Sequence, residues 1–279
     1  MHLLWLLPKN SISRLMGKLA ALKLPMFLRE RFLRAFGRCF GVNFSEIAQP
    51  LSSFETLQDF FIRELKPGLR PLDSSEIVSP CDGAFGQCGQ ITNGQLLQVK
   101  GRTYALSNLL GEEASGFENG YFTTIYLSPK DYHRFHMPLT ASVSRARYIP
   151  GYLWPVNAWA VKSIEQLFCV NERIVCWLGE EAILVAVGAT MVGKIKLAFD
   201  PDLTTNIKGS KGIVRDYGPD VQVLQKGEEL GHFEFGSTVV LITKAKLEVL
   251  GFGTVVRLGN RLKFTKSPAA PEAATCFEA

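Results

Sequence analysis

Ser237 stands in Phe235-Gly236-Ser237-Thr238, at the mouth of the apolar run Val239-Val240-Leu241-Ile242. A strand entrance would hold its hydroxyl rigidly, and Gly236 would let another side chain approach the intervening peptide bond closely. Taken alone, the tetrapeptide is ordinarily just a turn before a strand. A serine hydroxyl is a poor nucleophile until a base takes its proton, and that base works best when a carboxylate orients it. Residues able to fill both roles lie upstream, in Ser79-Pro80-Cys81-Asp82-Gly83 and in Asp131-Tyr132-His133-Arg134-Phe135-His136-Met137-Pro138. Such sites occur with several chain orders, so the order Asp, His, Ser is no obstacle.

Each of these partners has a plainer reading. Asp82-Gly83 falls between Ile77-Val78 and Ala84-Phe85 and fits a hairpin turn that uses glycine for positive φ. Ser128-Pro129 reads as an N-cap with Pro at the first helical position, which predicts a helix carrying His133 and His136 on one face. Two such histidines also suit zinc, but only His2 and His232 remain and no Cys-x-x-Cys pair completes a set. No metal site is therefore expected.

Six ordered blocks, read together, resemble the phosphatidylserine decarboxylases, pyruvoyl enzymes that make phosphatidylethanolamine. They are Phe60-Phe61-Ile62-Arg63-Glu64-Leu65-Lys66-Pro67-Gly68, Ser79 to Gly83, Tyr132 to Pro138, Asn171-Glu172-Arg173, Val187-Gly188-Ala189-Thr190-Met191-Val192-Gly193, and Lys226-Gly227-Glu228-Glu229-Leu230-Gly231-His232-Phe233 leading into Gly-Ser-Thr. The resemblance runs from about Phe54 to Lys266. It departs at Phe235, where the common family form has Leu.

The resemblance implies that Asp82, His136 and Ser237 form a self-processing triad. Ser237 would attack the carbonyl of Gly236, and elimination from the resulting ester would cleave the chain between 236 and 237. Residues 1–236 become a large chain, and 237–279 a small one capped by a pyruvoyl group made from Ser237. That covalent group is the implied cofactor: a carbonyl that forms a Schiff base with the amine of phosphatidylserine and accepts the electrons left by departing CO2. His133 is implied in substrate chemistry, steering the carboxylate or returning a proton, as an imidazole titrating near neutrality suits. Its alternative is a turn residue supporting His136.

The charge is unevenly placed. The formal total is +5, yet residues 1–40 hold eight Lys/Arg and one Glu. Leu15, Leu19 and Leu22 recur at helical spacing beside Arg14 and Lys18; Phe27, Leu28, Phe32, Ala35 and Phe36 recur among Arg29, Arg31, Arg34 and Arg38. This pattern predicts two interfacial helices on an anionic membrane, and the resemblance implies that phosphatidylserine is among its lipids. Helices packed on the domain with a solvated basic face are the alternative. The Leu3-Leu4-Trp5-Leu6-Leu7 run stops at Pro8, far short of a spanning segment and without a secretory leader. The expected location is peripheral, on the cytoplasmic face of the cell membrane. Nucleic acid is not an expected partner, because the basic residues interleave with Leu and Phe and no recognition module is visible.

These residues need a scaffold. A helix is predicted over 53–65, from a Ser52/Glu55 capping pattern and a Phe54, Leu57, Phe61, Leu65 face ending at Pro67-Gly68. Beyond it, strand-like runs at 123–127, 174–178, 183–187, 238–243 and 254–258 are separated by Gly, Pro and Asn. The fold class is α+β: N-terminal amphipathic helices (1–66), then a β-rich, largely antiparallel catalytic domain (67–266), then a disordered Pro/Ala-rich tail (267–279). The six cysteines show no tight pairing and read as reduced. Oligomeric state is not readable, and a homodimer is left open. Two rival functions share these residues: a serine hydrolase using Asp82, His136 and Ser237 without self-cleavage, and a non-catalytic lipid-binding module.

Overall fold

Two helices, α1 (Lys9–Ala20) and α2 (Met26–Phe40), lead into the domain in a computed structural model that describes residues 9–98, 102–190, 194–218, 222–234, 237–247 and 250–262. The expected tail, the Leu3 to Leu7 run and the Phe235-Gly236 pair lie outside the described residues. Pro25 precedes α2, and Gly41, at φ +79°, ends it in the left-handed conformation that glycine adopts at low cost. Leu33 and Gly37 are the residues α2 buries, Leu33 joining Phe54 and Phe60 in a small apolar cluster. Leu15, Leu19, Leu22, Met26, Phe27, Leu28 and Phe32 are exposed. The apolar repeat of α2 therefore divides: Phe36 packs inward against Phe60 and Phe61, while Phe27 and Phe32 face outward.

The third helix is shorter than the 53–65 expected. It is α3 (Leu57–Phe61), started by a capping box in which Thr56 and Asp59 exchange hydrogen bonds. Glu55, expected in that role, instead pairs with Lys23 at 2.6 Å. Leu65 leaves the helix to bridge Ile47.

The remaining chain is dominated by one antiparallel sheet. In chain order its strands are β1 (Gly83–Gln90), β4 (Tyr121–Leu127), β6 (Ala141–Ile149), β7 (Arg173–Leu178), β8 (Ala182–Val187), β10 (Ile213–Asp216), β11 (Val223–Leu224), β13 (Ser237–Thr243) and β14 (Val255–Val256). Their spatial order is β10-β6-β7-β8-β13-β4-β1-β14, with β11 also on β6. A small sheet of β5 (Arg134–His136), β12 (Glu229–Phe233) and β9 (Ile195–Leu197) contributes Phe135, Phe233 and Ile195 to the core on one face. The short helices α4 (Leu106–Leu110), α5 (Ala158–Ser163) and α6 (Leu167–Val170) contribute to the core on the other, and a hairpin of β2 (Gln95–Leu97) and β3 (Thr103–Ala105) adds to it.

Central β8 and β13 are buried along their whole length, which explains why they read as continuous apolar runs rather than alternating ones. Val239, Val240, Leu241 and Ile242 are each fully buried, and at about 2 kcal/mol per side chain they anchor β13 firmly. The α+β class and the helices-then-sheet order agree with the sequence reading.

Two local expectations fail. Residues 128–136 form no helix, because Asp131 captures both the N–H and the hydroxyl of Ser128 and closes a tight turn. Arg134–His136 then pairs with β12 as a strand. Asp82-Gly83 is not a hairpin turn either: Val78 bridges Arg261, and Gly83 opens a strand that pairs with β4 and β14.

Candidate active site

Ser237 is the first residue of β13 and is fully buried. It stands opposite Leu127 of β4, and Thr238 lies between Tyr126 on β4 and Val187 on β8. Among the described residues the Ser237 hydroxyl has no hydrogen-bond partner. Buried polar atoms are nearly always paired, so this hydroxyl calls for an explanation, as do those of Thr123 and Thr238 on the same sheet.

Asp82 reaches the same end of the sheet through Gly83. A Cβ at Gly83 would sit 2.5 Å from the Tyr126 carbonyl oxygen and 2.8 Å from Ile125 Cγ2, so only glycine allows β1 to approach β4 this closely. Asp82 is 3% exposed. Its carboxylate accepts from Arg70 Nε at 2.9 Å and Nη2 at 2.6 Å, and from the Leu258 N–H at 2.9 Å. Arg257 adds a contact at 3.4 Å, and Glu46 accepts from the same Arg70 Nη2 at 2.7 Å. Burial works against the Arg70 charge, but the hydrogen bonds to Asp82 and Glu46 outweigh it and raise the guanidinium pKa.

The two histidines occupy different settings. His133 is fully buried, its Nδ1 lies 2.8 Å from the Asp131 carbonyl, and Phe61 meets it edge-on at 5.1 Å. A carbonyl only accepts, so Nδ1 carries the proton and Nε2 presents a lone pair. Among the described residues that Nε2 has no partner. Burial, reinforced by the Arg63 charge, lowers the His133 pKa to about 3. Arg63 is itself buried and donates to the carbonyls of Lys130 and Asp131. His136 directs Nδ1 to the Gly227 carbonyl at 2.9 Å and Nε2 to the Tyr132 hydroxyl at 3.3 Å, with the two rings stacked. Burial depresses its pKa as well.

The structure thus gathers Asp82, both histidines and Ser237 at one end of the sheet. The Phe233 N–H donates to the His133 carbonyl at 2.9 Å just ahead of β13, and Asp82 acts electrostatically on both imidazoles. Among the described residues, however, Asp82 makes no hydrogen bond to either histidine, and neither histidine bonds Ser237. Gly236 lies outside the described residues. Cys81 is no rival nucleophile, since burial and then Asp82 push its thiol pKa well up.

Three cavities meet at Tyr126. A polar one of about 450 Å3 includes Arg63, Asp82, Gly83, Ser128 and Tyr132 in its walls. An apolar one of about 190 Å3 lies between α2 and the sheet, with Phe36, Phe40 and Phe61 among its walls. Another of about 240 Å3 is bounded by Phe85, Val156, Phe168, Thr238 and Phe252.

Comparison with known proteins identifies the family. The family model described as phosphatidylserine decarboxylase matches residues 57–268. The phosphatidylserine decarboxylase proenzyme of Myxococcus xanthus (strain DK1622) is 44% identical over 273 residues, covering 94% of this chain and 96% of its own length. The chain belongs to the phosphatidylserine decarboxylase family. The proenzymes of Anaeromyxobacter sp. (strain K) and Shewanella amazonensis (strain ATCC BAA-1098 / SB2B) are 43% and 41% identical, covering 92% and 85% of this chain and 95% and 86% of their own lengths. Within the family match fall Arg63, Asp82, His133, His136 and Ser237, so the orphaned hydroxyl lies inside the shared region.

Sequence reasoning overlooked Arg70, Tyr126 and Tyr132. Tyr132 lay inside a quoted block, but Arg70 had no signal, because its partners Glu46 and Asp82 are distant in the chain.

Proposed function

We propose that this chain converts phosphatidylserine to phosphatidylethanolamine and CO2 with a pyruvoyl group made by self-cleavage between Gly236 and Ser237. The observation that carries this reading is the buried, unpartnered Ser237 hydroxyl at the start of a fully buried strand, in a chain whose relatives are proenzymes. The fit of the group rests on the same atom, since a carbonyl derived from Ser237 would begin at the strand end where the three cavities meet. When present, that carbonyl supplies the electron sink that decarboxylation of an amino acid requires.

The chain's own residues supply the rest. In the family pattern His136 takes the Ser237 proton during processing and Asp82 orients it, while His133 acts on the substrate. The unpartnered Nε2 of His133 favours a second division, in which His133 is the base and His136, held by Gly227 and Tyr132, supports it. A polar cavity beside apolar ones suits a substrate with a charged head and acyl tails.

The exposed Leu19, Leu22, Met26 and Phe27 near the α1–α2 connection, with Lys18 and Lys23 beside them, support peripheral seating on an anionic membrane. No helix among the described residues is long and apolar enough to cross one. Intact-mass measurement tests the central claim. The 30.9 kDa chain, divided in proportion to length at 236/237, should give pieces of about 26 and about 5 kDa, the smaller with a blocked N-terminus. An active preparation consisting of one intact chain would refute it.

A further inference from the structure

On the opposite flank of Ser237 from Asp82 lies a second polar cavity, of about 300 Å3. Its walls include Asn10 and Arg14 of α1, Tyr148 of β6, Glu172 just before β7, and the loop carrying Lys208 and Ser210. The Gly188 N–H, just past β8, donates to the Glu172 carbonyl at 2.9 Å. With β8 lying between β7 and β13, Glu172 stands two strand spacings, about 10 Å, from the Ser237 strand.

The two neighbours of Glu172 in the Asn171-Glu172-Arg173 block have structural roles. Asn171 ties Trp154 to Gly188, and Arg173 donates to the carbonyls of Asn108, Leu109, Cys169 and Asn171. Glu172 is different. It is 2% exposed; Oε2 accepts from the Asn206 N–H at 3.1 Å and the Tyr148 hydroxyl at 3.3 Å, the Thr205 side chain also hydrogen-bonds the carboxylate and Arg14 attracts it, and among the described residues Oε1 has no close partner. Asn10 repeats the pattern, its Nδ2 donating to the Gly151 carbonyl at 2.9 Å while Oδ1 is buried and, among the described residues, unpartnered.

Two buried oxygens without a close donor among the described residues, one of them on a carboxylate, suit a cation that carries N–H groups. Arg14 and Lys208, in the same walls, make no close ion pair among the described residues, although Arg14 is near enough to attract the Glu172 carboxylate. They oppose a divalent metal and invite an anion. We propose that this cavity binds a phosphate ester bearing a primary ammonium group, with the ammonium on Glu172 and Asn10 and the phosphate toward Arg14 and Lys208. Burial raises the Glu172 pKa, a penalty that a bound ammonium would offset. Both a phospholipid headgroup and free phosphoethanolamine have this chemistry. The lipid form is the one a membrane-seated α1 would meet, a step that rests on the membrane reading above.

The test uses full-length protein and calorimetric titration with phosphoethanolamine, with phosphocholine and Ca2+ as contrasts, and flotation on phosphatidylcholine vesicles with and without phosphatidylethanolamine. Binding of soluble phosphoethanolamine at least tenfold tighter than phosphocholine, weakened at least tenfold by Glu172→Gln and by Asn10→Leu, supports the site with the free ester as ligand. Flotation that requires phosphatidylethanolamine and is lost in the same variants supports it with the lipid as ligand. Asn10→Leu, on the outer helix, serves if Glu172→Gln does not fold. Binding unchanged by both variants, equal binding of phosphocholine, preferential binding of Ca2+, or no binding in either format overturns the proposal. Self-cleavage on a denaturing gel reports separately on the decarboxylase reading.

Discussion

Arg70 grips Asp82 side-on, Nε and Nη2 lying 2.9 and 2.6 Å from its two carboxylate oxygens, with both side chains buried. The orienting carboxylate of the implied triad is thus fixed by arginine and by the Leu258 N–H rather than by histidine. Removing Arg70 would leave a buried charge with Arg257 as its remaining cationic partner. Arg70→Ala is expected to destabilise the fold by about 3 kcal/mol and to slow self-cleavage. Arg70→Lys should recover part of the stability, because an ammonium supplies charge without the planar fork. Denaturant melts beside a cleavage time course check this, and wild-type behaviour of Arg70→Ala would show that the pair has no such role.

The two histidines can be separated by cleavage and turnover. Ser237→Ala should remain folded and uncleaved, since it removes only the reacting hydroxyl. In the family division of roles, His136→Ala blocks cleavage while His133→Ala cleaves and fails to decarboxylate. In the division favoured by the unpartnered Nε2, His133→Ala blocks cleavage by a factor of about 100 or more and His136→Ala merely slows it. Gel densitometry of freshly made protein decides between them. Full cleavage in both variants would remove histidine from the processing step.

Much of this site is legible in the sequence because its residues sit in short blocks. The Ser237 strand, the neighbouring β8 and the Asp, His, Ser order are all local signals. What could not be read is contact between distant segments. The 128–136 stretch carries helix-start residues, yet Asp131 satisfies Ser128 within the turn and β12 offers Arg134–His136 a ladder, so tertiary pairing overrides local propensity. Gly-rich β1 has little strand propensity, and its place depends on Gly83 fitting against Tyr126. The helix predicted over 53–65 contracts because Thr56 and Asp59 form its capping box, while Ser52 lies in a separate 3-10 turn over Leu51–Ser53.

Stability should fall on acidification through the His133 imidazole. Its pKa is lowered to about 3 in the fold, below the 6.5 of the free side chain, so the unfolded chain binds a proton that the native state refuses between those values. Stability attributable to this group is fully present above pH 6.5 and is lost as pH falls toward 3, by up to roughly 4–5 kcal/mol at about 1.4 kcal/mol per unit. His136, also depressed by burial, acts in the same direction. Melting curves of wild type and His133→Gln from pH 7.5 to 4.5 isolate the effect as a difference: the variant should show the shallower decline. Parallel declines would mean that His133 does not titrate in this way.

Membrane seating can be tested by separating surface from packing. Met26 and Phe27 are 84% and 78% exposed, whereas Phe36 packs against Phe60 and Phe61 and lines the apolar cavity under α2. Met26→Ser with Phe27→Ser should therefore weaken flotation on anionic vesicles while leaving the melting temperature within about a degree, because little apolar area leaves the core. Phe36→Ser should do the reverse first, lowering stability by about 3 kcal/mol as the cavity enlarges. Added salt should weaken binding of the full chain but not abolish it, since screening acts on the basic residues of the helices and not on apolar insertion. Unchanged flotation of the Met26/Phe27 double variant would reject this tip as the membrane contact. The decarboxylase reading would survive that result, because it depends on Ser237 and its neighbours at the far end of the chain.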